Sequence, residues 1–133
     1  MNTDKEKAIE YLEKSIQLDP TDIKIYNSLG ILYMQINTGK AETYFLKVIE
    51  LSPRNISAYN NLGLTFMNSN KEKAILYLEK SIQLDPTNIR IYNSLGVLHM
   101  DTNLKKSEMC FLKVIELSPK DVEAHDNLGR LYF

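Results

Sequence analysis

The chain has 133 residues, of which 44% are hydrophobic and 25% charged, and its formal net charge is -1. These values suit one soluble globular domain. So small a charge supplies no basic field, which excludes nucleic acid as an expected partner. No apolar run approaches the ~20 residues of a membrane helix.

The first predicted helix covers about residues 4–18, with Ala8, Tyr11 and Leu12 on its apolar face. Glu6, Glu10 and Glu13 interleave with Lys7 and Lys14 at helical spacing, which reads as a solvated face with intrahelical pairs. The N-terminal stretch MNTDKEKAIEYL lacks an apolar secretory core, so no signal peptide is expected. Pro20 ends this helix. Asp22 is a good N-cap for the next one, in which Tyr26, Leu29, Gly30 and Tyr33 share a face. Asn37 is read as its stop, because asparagine tolerates the left-handed conformation that closes many helices. A third helix runs from about Lys40 to Leu51, with Ala41, Phe45, Val48 and Ile49 on its apolar face, and ends at Ser52-Pro53.

From Asn55 the pattern starts again. Pro20, Pro53, Pro86 and Pro119, the only prolines, are spaced by 33 residues, as are Gly30, Gly63, Gly96 and Gly129. A period of this length marks a stacked array of helix pairs. Glycine inside a helix costs about 1 kcal/mol relative to alanine, so all four are read as sites of close helix approach. Ala8, Ala41, Ala74 and Ser107 supply matching small residues. A longer repeat lies on top: residues 1–66 align with 67–132 without a gap, roughly two-thirds of positions being identical. A tandem duplication of a two-repeat unit accounts for it. The array then consists of a half repeat 1–21, repeats 22–54, 55–87 and 88–120, and a closing half repeat 121–133.

The pattern Tyr26-x2-Leu29-Gly30-x2-Tyr33, Ala41-x3-Phe45, Pro53 resembles the tetratricopeptide repeat. It recurs as Tyr59-Leu62-Gly63-Phe66, Ala74-Leu78, Pro86, and as Tyr92-Leu95-Gly96-His99, Ser107-Phe111, Pro119. Tyrosine or histidine stands where the family usually has tryptophan, and each repeat is one residue short of the common length. The resemblance implies an all-α, right-handed superhelical solenoid of eight helices.

No catalytic set, metal cluster or phosphate-binding loop is apparent, so no enzyme activity, cofactor or metal is expected. His99 and His125 replace the aromatic residues Tyr33 and Tyr59 of the first unit and read as partly buried packing residues. Cys110 replaces Tyr44 and reads as an inert helix residue. As the only cysteine it precludes an internal disulfide and suits a reducing, cytoplasmic compartment.

The family resemblance implies a concave groove, lined by the first helix of each pair, in which peptides bind. The stripe opposite Tyr26, Leu29, Gly30 and Tyr33 holds Lys24, Asn27, Ile31 and Met34. Its repeats hold Asn60, Asn61, Leu64 and Met67; Arg90, Asn93, Val97 and Met100; and Asn127. Ile31, Leu64 and Val97 would form an apolar floor. Asn27, Asn60, Asn61 and Asn93 would offer exposed amides to an extended backbone. The methionines are read as inter-repeat core. Asn61 and Arg90 resemble members of the two-carboxylate clamp of chaperone-tail binders, but Asn27, Ile31 and Ser94 break it. The run Tyr59-Asn60-Asn61-Leu62-Gly63 looks like the asparagine-ladder repeats that precede the O-linked N-acetylglucosamine transferase domain, with Ser28 and Ser94 interrupting the ladder.

The expected function is a non-enzymatic scaffold that binds a protein or peptide. A self-assembling module and a segment of a larger enzyme or regulator stand beside it. Head-to-tail self-association through residues 4–18 and 122–133 is also expected, because the two end faces are complementary.

Overall fold

The computed structural model describes residues 3–133; the first two residues of the expected half repeat 1–21 lie outside them. Eight helices follow one another: α1 (Thr3–Leu18), α2 (Ile23–Tyr33), α3 (Thr38–Leu51), α4 (Ile56–Phe66), α5 (Lys71–Leu84), α6 (Ile89–His99), α7 (Leu104–Leu117) and α8 (Val122–Tyr132). Each packs chiefly on its neighbours in sequence, which makes the molecule a quasi-one-dimensional stack.

Asparagine or aspartate caps every helix after the first. The side chains of Asp22, Asn37, Asn55, Asn70, Asn88, Asn103 and Asp121 accept a backbone N–H from the turn that follows. This corrects the reading of Asn37, and with it of its equivalents Asn70 and Asn103 one and two repeats later, as left-handed helix stops. Their φ angles are -154°, -151° and -148°, and no described non-glycine residue has positive φ. They interrupt one helix by starting the next.

The expected glycine contacts form at three of four positions. A Cβ on Gly30 or Gly96 would meet the ring of Phe45 or Phe111 at 2.5 or 2.4 Å, and one on Gly63 would meet Leu78 Cδ2 at 2.3 Å. Real carbon atoms do not approach so closely, so these helix pairs require glycine. Gly129 is the correction: a Cβ there would meet nothing within 4 Å, so this position makes no close helix contact.

Ala41, Ala74 and Ser107 are fully buried beside these contacts. One core runs through α1 to α6 and includes Leu29, Phe45, Leu62, Leu78 and Leu95, with Met34 and Met67 at its edge as expected.

Candidate functional site: the first-helix groove

Helices α2, α4, α6 and α8 present the stripe singled out in the sequence. Ile31, Leu64 and Val97 are 49%, 46% and 42% exposed, unusual for aliphatic side chains recurring on one face. Lys24 and Arg90 are exposed, and Asn27, Asn60 and Asn61 are half-buried. Between α4 and α6 lies a hollow of about 210 Å³, walled by Asn60, Asn61, Leu64, Arg90 and Ser94 among others.

The amides are less available than the sequence implied. Asn61 Nδ2 donates to Asn27 Oδ1 across α4 and α2 at 3.3 Å. Asn60 Oδ1 accepts from the buried Ser81 hydroxyl on α5. Asn93 and Asn127 are buried, each 5% exposed, so they do not line an open surface. They stand to each other in sequence as Asn27 stands to Asn61. Their orphan atoms, Asn93 Oδ1 and Asn127 Nδ2, are the acceptor and donor of the same inter-repeat bond, an internal rung that the structure leaves unclosed. A helical wheel gives the side of α6 on which Asn93 lies, but not how closely α8 approaches that side.

The opposite, second-helix side holds a polar element that the sequence reading missed. Glu13 is not on a solvated face: it accepts from Tyr33 and Tyr44, each at 3.1 Å. Lys14–Glu10, at 3.1 Å, forms an exposed pair there. Burial chiefly, and the Glu13 carboxylate after it, push the Tyr44 phenol up to about 12. One repeat later Glu42 accepts from Lys73 at 2.8 Å and from Tyr77 at 2.7 Å. Burial alone would raise the Glu42 carboxyl, but the Lys73 and Tyr77 hydrogen bonds outweigh it and hold the group below its usual range. The signal lay in the sequence: Glu and Leu alternate at 13, 46, 79 and 112, and Ile and Glu at 9, 42, 75 and 108.

His99 is buried as a packing residue. Burial first, then Lys106, lower its pKa, against an opposing pull from Glu79. His125 is exposed instead. Its Nε2 lies 3.0 Å from the Pro119 carbonyl, the place where the Tyr26 and Tyr92 hydroxyls donate to Pro20 and Pro86. Burial, with Glu79 adding to it, pushes the Cys110 thiol up to about 11, so the nucleophilic thiolate is disfavoured. Among the described residues no group of three His, Cys, Asp or Glu could hold a metal ion. No helix there is long and apolar enough to cross a membrane.

Comparison with known proteins agrees with this geometry. The tetratricopeptide repeat pattern matches residues 2–22, 23–55 and 56–88, and the chain belongs to the tetratricopeptide repeat family. No curated protein matches it in sequence. Among solved structures, the crystal structure of MamA superposes with a TM-score of 0.86 at 27% identity, covering 97% of this chain and 77% of MamA. YrrB, described as a repeat protein of this family with an unusual peptide-binding site, superposes at 0.80 with 21% identity, covering 97% of this chain and 68% of YrrB. The first such domain of Spaghetti (RPAP3), bound to the HSP90 peptide SRMEEVD, superposes at 0.73 with 18% identity, covering 83% and 90%. The last two likenesses concern the fold alone.

Proposed function

We propose that the protein is a non-enzymatic interaction scaffold that binds an extended peptide or protein segment along the faces of α2, α4 and α6. The single observation that carries this reading is the row of half-exposed aliphatic side chains, Ile31, Leu64 and Val97, flanked by amides and the cations Lys24 and Arg90. An extended peptide could set apolar side chains on that row. Asn27 and Asn61 would meet its backbone with the N–H groups and lone pairs their mutual bond leaves over. The peptide-binding site named for YrrB and the HSP90 peptide bound to the Spaghetti domain support a peptide as the class of partner. The ligand proposed here is not an acidic chaperone tail, because Asn27, Ile31 and Ser94 stand where that clamp needs other residues. Nucleic acid and membrane are not the proposed partners, and a reducing, cytoplasmic setting fits the single free thiol.

The test is a peptide-array screen with purified protein, repeated with Leu64→Asp and Asn61→Ala. Peptides captured by the wild type should bind at least about tenfold more weakly to Leu64→Asp, a loss of about 1.4 kcal/mol, and more weakly to Asn61→Ala. The exposed variant Glu50→Ala, on the other side of the array, should bind them unchanged. Equal losses in all three would place the site elsewhere.

A further inference from the structure

We infer that α8 is a docking face for α1 of a second copy of this chain, and that the copies join head to tail through a contact whose template lies inside each molecule. The template is the seating of α5 on α4 and α3. There Leu78 fills the space over Gly63, and Tyr77 stacks on Phe66 with centroids 6.3 Å apart. Lys73 Nζ lies 4.8 Å from the Phe66 centroid. Lys73 and Tyr77 both bond Glu42, and the Ser81 hydroxyl donates to Asn60.

Every member of this contact has a counterpart at the two ends, 66 residues away. Residues 5–18 of α1 differ from 71–84 of α5 at one position alone, Glu10 for Leu76. Leu76 is 55% exposed, so it lies outside the contact. Thus α1 brings Lys7, Tyr11, Leu12 and Ser15 for Lys73, Tyr77, Leu78 and Ser81. At the other end Gly129, Tyr132, Asp126 and Glu108 stand for Gly63, Phe66, Asn60 and Glu42. Each replacement can play the same part: Asp126, which pairs with Arg130 at 3.2 Å, has carboxylate oxygens that can accept from a hydroxyl, and Tyr132 keeps an aromatic face.

The unfilled half of the contact is visible. The space over Gly129 is empty and opens into a hollow of about 540 Å³ bordered by His125, Arg130 and Phe133. Tyr11 and Tyr132 are each 67% exposed, where their counterparts Tyr77 and Phe66 are covered. Glu108 already accepts from Tyr132 and, like Glu42, can also receive a lysine and a second phenol.

Because the two faces differ, the contact is heterologous and adds copies without closing at a dimer. This inference is independent of the peptide groove, which occupies another face, so either can fail alone. The experiment is sedimentation equilibrium of the 133-residue chain from micromolar to millimolar concentration. The average mass should rise past twice the monomer mass. Two variants block one end each without touching the monomer's interior: Gly129→Val fills the empty space, and Tyr11→Glu sets a carboxylate against Glu108. Each alone should stay monomeric with wild-type helicity. An equimolar mixture should form a one-to-one heterodimer and nothing larger, since one variant keeps a sound α1 and the other a sound α8. A wild-type chain that stays monomeric to millimolar concentration would overturn the inference, as would association that survives Gly129→Val or a mixture of the variants that fails to pair.

Discussion

Gly63 and Gly129 occupy the same position of successive two-repeat units, yet one is enclosed and the other open. A Cβ at Gly63 would fall 2.3 Å from Leu78 Cδ2 and 2.5 Å from its Cγ, and Leu78 is fully buried. Gly63→Val should therefore lower stability by roughly 1–3 kcal/mol. Gly129→Ala meets no atom and gains helix propensity, so it should be neutral or stabilising by up to about 1 kcal/mol. Urea midpoints of both variants at micromolar concentration check the pair, and an unchanged midpoint for Gly63→Val would contradict the close packing. His99 makes a second prediction at this scale. Its folded pKa lies below the ordinary 6.5, chiefly through burial. Above that value the folded and unfolded chains both carry neutral histidine. As pH falls through it, the unfolded chain takes up the proton first, so stability is lost progressively down to the folded pKa. Between pH 7.5 and 5.5 the wild-type urea midpoint should fall more than that of His99→Tyr, which installs the tyrosine found at position 33. Equal falls would show that His99 is not the group responsible.

The helix boundaries were legible because proline and capping residues recur on one period, and eight helices follow from it. What misled was the role of asparagine. Asn37, Asn70 and Asn103 fall between helices, and a residue there can close one or open the next; only the backbone angles separate these. Extended φ and a side-chain oxygen accepting from Lys40, Lys73 or Lys106 assign them to the next helix. Asn70→Ala should then destabilise the protein by about 1 kcal/mol. Asn70→Asp should retain the cap, and thermal unfolding of the two separates an N-cap from a helix stop. The groove was legible to the same depth. Helical periodicity found Ile31, Leu64 and Val97, because an exposed aliphatic residue breaks a pattern. It could not foresee that Asn93 and Asn127 are buried, since inter-helix distance is not encoded in one helix's period. Glu13 was missed for a related reason: its partners Tyr33 and Tyr44 lie 20 and 31 residues away, while Lys14 stands beside it in sequence.

Across the whole molecule, duplication explains the order of the helices. The helices α2, α4, α6 and α8 are the first type of the pairs and α1, α3, α5 and α7 the second, and the second type alternates between two kinds: α1 and α5 carry Glu13 and Glu79, while α3 and α7 carry Glu42 and Glu108. Glu13 of α1 seats Tyr44 of α3, and Glu42 of α3 seats Lys73 and Tyr77 of α5, so the array has a direction and its ends are unlike. The groove on the first-type helices runs along the stack and is independent of what covers α8. The central claim is that this groove recognises a peptide. Its most direct measurement is the titration of an array-selected peptide into the protein, followed by backbone amide chemical shifts. The account predicts the largest shifts along Lys24–Ile31, Asn60–Leu64 and Arg90–Val97, abolished by Leu64→Asp. Shifts confined to the second-type helices α3, α5 and α7, or unchanged by Leu64→Asp, would contradict it.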